Sequence, residues 1–231
     1  MGATPDAGSD ADDRDARARR RTWVIGGALL VVSALVVVPR ALLYQAGIIG
    51  PSPGWVHYVG DWLWAIGVLI LVIGLGRAGS ITGRRPFSTV VVILQVIVAS
   101  PAASLWLSTL VLDDPQNLHA QEDSWSAIFL PYYVTVFVLT FIAALSIGLA
   151  RAVPEPWCWA PSGALLVAIA FGSVGLGGVH GLAGFTVVYL PAITTALLGV
   201  LAIVLGIRAV GQREAPPETT RPLPDSREGY R

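Results

Sequence analysis

The chain has 231 residues and a formal net charge of zero, from fifteen basic and fifteen acidic side chains, yet 54% of its residues are hydrophobic and only 13% are charged. With a mean hydropathy of +0.67 it lies outside the range of soluble globular domains and within that of membrane proteins. No basic patch interleaved with aromatics is present, which excludes a nucleic-acid surface, and the single cysteine, Cys158, excludes an internal disulfide framework.

Residues 1–21 combine five aspartates with five arginines and hold no apolar run, so they are predicted to form a disordered tail. The first apolar run starts at Trp23, directly after Arg19, Arg20 and Arg21, and continues through Pro39 and Arg40 to Tyr44. It is too long for the apolar region of a secretory signal and no small-x-small cleavage site follows, which makes it a signal-anchor helix. The second run, Trp55 to Leu75, carries Trp55, Tyr58, Trp62 and Trp64 toward its start, where amphipathic rings favour the headgroup level. After a Gly- and Arg-containing connector from Gly76 to Pro86 come a third run, Ser88 to Leu112, and a fourth, Ser126 to Ala150. The segment between them, Asp113 to Trp125, has four acids and no arginine. A fifth run spans Trp159 to Gly178, a turn follows around His180, and the sixth run covers Phe185 to Ala209.

At about 1.5 Å per residue, runs of this length cross the roughly 30 Å hydrocarbon core of a bilayer. They lack the two-residue alternation of barrel strands, and a spanning backbone must satisfy its own hydrogen bonds, so each run is predicted to be a helix. The expected fold is all-α, a polytopic membrane bundle of six transmembrane helices over residues 22–210, with a second disordered tail over 211–231.

With six crossings, fourteen of the fifteen arginines fall on one side and only Arg40 on the other. Positive loops resist translocation, so both termini are expected in the cytoplasm. The absence of lysine and the abundance of Ala, Gly and Val fit a GC-rich bacterial genome, and hence a bacterial inner membrane.

Asp61 is the one acid deep within a run, and intramembrane charges call for a partner. Arg40 is the nearest candidate, as a structural ion pair between the first two helices. The three histidines, His57, His119 and His180, all fall on the outer side, and His57 and Asp61 share a helix face at a spacing of four. Three imidazoles and a carboxylate suffice for Zn²⁺ or Cu²⁺, or for a general base with its orienting acid. Ser100, Ser104 and Ser108 form a stripe with Gln95 one turn further in, and Ser173, Gly177 and Gly181 repeat the spacing. Small residues so placed are helix-packing seams, with a polar pathway as the alternative. Pro101, Pro131 and Pro191 are expected to kink or break their helices.

No Gly-x-Ser-x-Gly elbow, His-Glu-x-x-His helix, Cys-x-x-Cys pair or pair of intramembrane carboxylates is present. Three readings follow. The first is an accessory or structural subunit that packs against itself or another membrane protein within the lipid bilayer and needs no cofactor. The second is a small-solute permease with a Pro-kinked pathway. The third is an enzyme or metal site at the outer face.

Overall fold

The structure, a computed structural model, describes residues 7–45, 47, 54–75, 79–111, 117–176 and 189–211. Among them the chain is all-helical, without a strand: α1 (Ala7–Gln45), α2 (Gly54–Ile73), α3 (Pro86–Val98), α4 (Pro101–Ser108), α5 (Leu118–Ala150), α6 (Ala160–Leu176) and α7 (Leu190–Gly211). A single 3₁₀ turn at Trp157–Trp159 leads into α6.

The starts and stops follow local chemistry. Gly74, at φ +75°, takes the left-handed position that ends α2, and its N–H bonds to the Ile70 carbonyl at 2.9 Å. Pro86 opens α3, where a missing N–H costs nothing. Pro101 ends α3 and begins α4 at a bend of 44°, so the predicted third helix is broken where its proline was expected to break it. Asn117 caps α5 by accepting from the Ala120 N–H at 3.1 Å. Pro131 is accommodated within a continuous α5, and Pro191 is the second residue of α7, with the residues that precede Tyr189 lying outside the described ones.

Two boundaries differ from expectation. α1 starts at Ala7, inside the tail that composition assigned to disorder. This stretch is alanine-rich and Asp13 and Arg17 are spaced as helix neighbours, with Arg17 Nε donating to the Asp13 carbonyl at 3.2 Å. α5 begins at Leu118, so the end of the acidic segment extends the helix beyond its apolar run. The tail expected over 211–231 lies outside the described residues from 212 onward.

Among the described residues three helical stretches are long and apolar enough to cross a membrane, namely Asp13–Pro39, His119–Ala150 and Leu190–Arg208, and the bent pair α3 and α4 makes a fourth if counted as one span. Among the described residues Tyr58–Ile73 and Trp157–Ala170 are apolar but shorter. Outward-facing side chains are apolar almost throughout, with Phe87, Leu130, Leu166 and Leu197 each more than 60% exposed. Such a surface is compatible with a membrane location and would be an association surface in water.

The helices form a ring in which each packs on the next: α7 on α1, α1 on α2, α2 on α3, α3 on α5, α5 on α6, and α6 back on α7. Packing is most extensive between α1 and α7, where Gly27 and Gly199 face one another. A Cβ built on Gly199 would lie 2.6 Å from the Gly27 carbonyl oxygen, so only glycine permits this approach. Ala65, Val72, Val92, Val96, Ala143 and Ile147 join α2, α3 and α5 in one buried cluster, and Trp23, Leu30, Leu71, Val153 and Cys158 form a second.

The end of the ring nearest Arg84 is closed by the connector between α2 and α3. Trp23 Nε1 donates to the Gly79 carbonyl at 2.8 Å, and the Leu75 N–H donates to Thr22 Oγ1 at 2.8 Å. Ser80 bonds to the Val72 carbonyl and to Thr82, which bonds onward to Thr89. With these polar groups satisfied, the connector can be buried at small cost. Its Ile81 reaches into the second cluster. On the neighbouring turn, Arg85 Nη1 donates to the Leu149 carbonyl at 3.1 Å at the end of α5, favourable for a cation beside a helix C-terminus.

Candidate functional site

The ring does not close on its own axis. Between its helices lies a cavity of about 620 Å³, within the range of small-molecule sites. Its wall runs from Tyr133 to Ile147 on α5 and from Pro191 to Leu205 on α7, in each case about 21 Å along the helix. The mean cross-section is then about 30 Å², so the space is a slot parallel to the helices. Its length exceeds the roughly 15 Å of one leaflet's hydrocarbon.

Small side chains create the slot. Ala143 and Ala144 on α5, Ala160, Ala164 and Ala168 on α6, and Ala202 on α7 stand where larger residues would meet across the axis. Trp23, Trp64 and Trp157 line it with aromatic surface, and Ile81 and Val153 lie at the end where the connector closes the ring. No Asp, Glu, Lys, Arg or His lines it among the described residues.

Polar groups on the wall are few. Gln95 on α3 is 7% exposed and donates through Nε2 to Thr140 Oγ1 of α5 at 3.3 Å. The Thr140 hydroxyl donates in turn to the Val136 carbonyl at 2.7 Å, so it accepts from Gln95, which fixes which end of the amide is nitrogen. Among the described residues no donor reaches Gln95 Oε1. The only sealed side-chain polar atom without a partner there is Ser162 Oγ, so the Gln95 carbonyl faces open space. On the opposite wall Thr194 turns its hydroxyl back to the Leu190 carbonyl at 2.9 Å.

The residues singled out from sequence are scattered. Among the described ones Gln95 lines the cavity, as do Trp64 and Pro191, while Asp61, His119, Ser100, Ser104 and Ser108 do not. Ser100, Ser104 and Ser108 each donate to the carbonyl three residues back, at 2.7, 3.0 and 2.7 Å, and burial declines along the stripe from Ser100 to an exposed Ser108. Gln95 and the serines therefore do not form one lining. Asp61 is exposed on α2, lies within electrostatic reach of Tyr132 on α5, and is not without a partner. His119 stands exposed in the first turn of α5, its Nδ1 4.0 Å from Glu122 Oε2. The side chains of Arg40, His57 and Ser173, and all of Gly177, His180 and Gly181, lie outside the described residues. Among the described residues no three His, Cys, Asp or Glu side chains gather as metal ligands.

Sequence reading passed over Thr140, whose only signal was a hydroxyl amid apolar residues, and the alanines of α5 and α6, which carry no signal apart from their partners across the ring. Comparison with known proteins gives no relative to lean on: no family model, no curated protein and no solved structure matches the chain.

Proposed function

We propose that the protein is a six-span integral membrane protein of a bacterial inner membrane, with both termini cytoplasmic, and that it serves as an accessory protein holding an uncharged apolar molecule within its helix ring. The apolar slot carries this reading. A void of this size with an apolar wall forfeits dispersion contacts along that wall, and an apolar occupant restores them. The outward apolar faces and the sorting of arginines support the membrane placement, with α2 and α6 as the remaining crossings.

The slot also weighs against a pathway for polar solutes. Such a solute would leave its hydration shell for a wall that offers one amide and a few hydroxyls, and the serine stripe has turned its hydroxyls to its own backbone.

The occupancy test uses the hydrocarbon probe diphenylhexatriene, read by energy transfer from the lining tryptophans in detergent micelles. Wild type should give saturable transfer, and Ala164→Phe, which fills the slot from α6, should leave only the non-saturable background from probe in the surrounding micelle while the protein remains monodisperse. Equal transfer in both proteins would refute the occupancy reading. Topology is tested on a Cys158→Ala background in intact cells: Gln121→Cys should react with a membrane-impermeant maleimide and Arg84→Cys should not. The reverse pattern would invert the assignment.

A further inference from the structure

We infer that Gln95 reads a polar group on the occupant, so that the molecule the slot takes is an uncharged, elongated hydrocarbon bearing a hydroxyl. This rests on the slot being a binding site and adds the class of molecule that fills it.

Two observations carry the inference. First, no ionisable side chain except Tyr133 lines the cavity among the described residues. A carboxylate, phosphate or ammonium inside it would be buried without a counter-ion, which excludes charged amphiphiles with their heads in the slot. Second, among the described residues the Gln95 amide is only half used. One Nε2 hydrogen goes to Thr140 Oγ1, and among the described residues the other hydrogen and the carbonyl oxygen have no protein partner. An amide left with a free donor and a free acceptor in apolar surroundings is matched by a group that both donates and accepts, and a hydroxyl does both.

The position of the amide sets the register. Thr140 stands midway between Tyr133 and Ile147, so about 10 Å of apolar wall extends to either side. A hydroxyl bonded at Gln95 would therefore be flanked by hydrocarbon contact along the slot. Thr140 has spent its hydrogen on Val136 and Thr194 has spent its own on Leu190, so neither competes for the occupant's oxygen as a donor. The occupant's hydroxyl hydrogen goes to Gln95 Oε1.

The experiment compares two sixteen-carbon probes that differ only in the hydroxyl. Full-length protein in micelles carrying diphenylhexatriene is titrated with 8-hexadecanol, whose hydroxyl stands mid-chain as the register requires, and with hexadecane at matched micellar mole fractions. In wild type the alcohol should displace the probe at about one tenth of the alkane concentration, the value of one net hydrogen bond. Gln95→Leu should bring that ratio to about one while the probe still binds. Thr140→Val, which keeps the amide and removes its brace, should keep the preference. If Gln95→Leu does not accumulate, Gln95→Asn should lower the preference, because its shorter amide stops short of the slot.

A wild-type ratio of one would mean a resident water satisfies the amide, and would overturn the inference. So would a tenfold preference that survives Gln95→Leu or Gln95→Asn. A preference lost equally in Gln95→Leu and Thr140→Val would make Gln95 a strut between α3 and α5, and would overturn it too. Failure of diphenylhexatriene to bind wild type is the separate result that removes the binding site itself.

Discussion

The two halves of the ring use small residues in opposite ways. On the α1 and α7 side, glycines bring backbones together until a Cβ has no room, as at Gly27 and Gly199. On the α5 and α6 side, alanines at a similar density face an axis that no helix fills. Both sides carry small residues, although α5 adds aromatics that α7 lacks; at the small residues what differs is whether an opposing backbone arrives. Small residues are thus permissive, and the packing of the partner decides whether they become a seam or a void.

The contrast can be broken most severely at the seam. Gly27→Val places a branched side chain against the Gly199 carbonyl, which as backbone cannot move aside, and should cost about 3 kcal/mol in thermal unfolding in detergent. A variant within about 0.5 kcal/mol of wild type would mean that α1 and α7 are not in backbone contact. Next in size is Trp23→Phe, which leaves the buried Gly79 carbonyl without its indole donor. A loss of about 2 kcal/mol is expected by the same measurement, and no loss would mean the connector is not held by α1. The smallest effect belongs to the open side. A Cβ at Gly163 on α6 meets nothing within 4 Å, so Gly163→Ala should gain about 0.5 to 1 kcal/mol from helix propensity alone. Destabilisation there would show that α6 packs as tightly as α1.

Much of the architecture was legible because membrane helices are written in long apolar runs. The runs from Trp23 and Ser126 lie within α1 and α5, the described part of the run expected over Phe185 to Ala209 is helical from Leu190, and Pro101 broke its helix as its missing N–H requires. The order of helices around the ring was not legible, since topology fixes sides and not neighbours. For that reason Gln95 was grouped with Ser100, Ser104 and Ser108 by spacing along α3, although the bend at Ala99 and Ser100 parts them: Gln95 turns to Thr140 and the cavity, and the serines turn to their own carbonyls. Charge drew the reading to Asp61 and the histidines, because a charge in an apolar run stands out. The alanines on the cavity wall are separated from seam residues by no sequence pattern, and the wall draws on α1, α2, α3, α5, α6 and α7, so it exists only once the ring is assembled.

The most direct measurement of the central claim is solvent extraction of the purified protein followed by mass spectrometry, with wild type beside Ala164→Phe. One uncharged lipophilic molecule per chain in wild type, and little of it in the variant, is the result expected if the slot holds a ligand. Bilayer lipids in the same small amounts from both proteins, with no molecule specific to wild type, would contradict it.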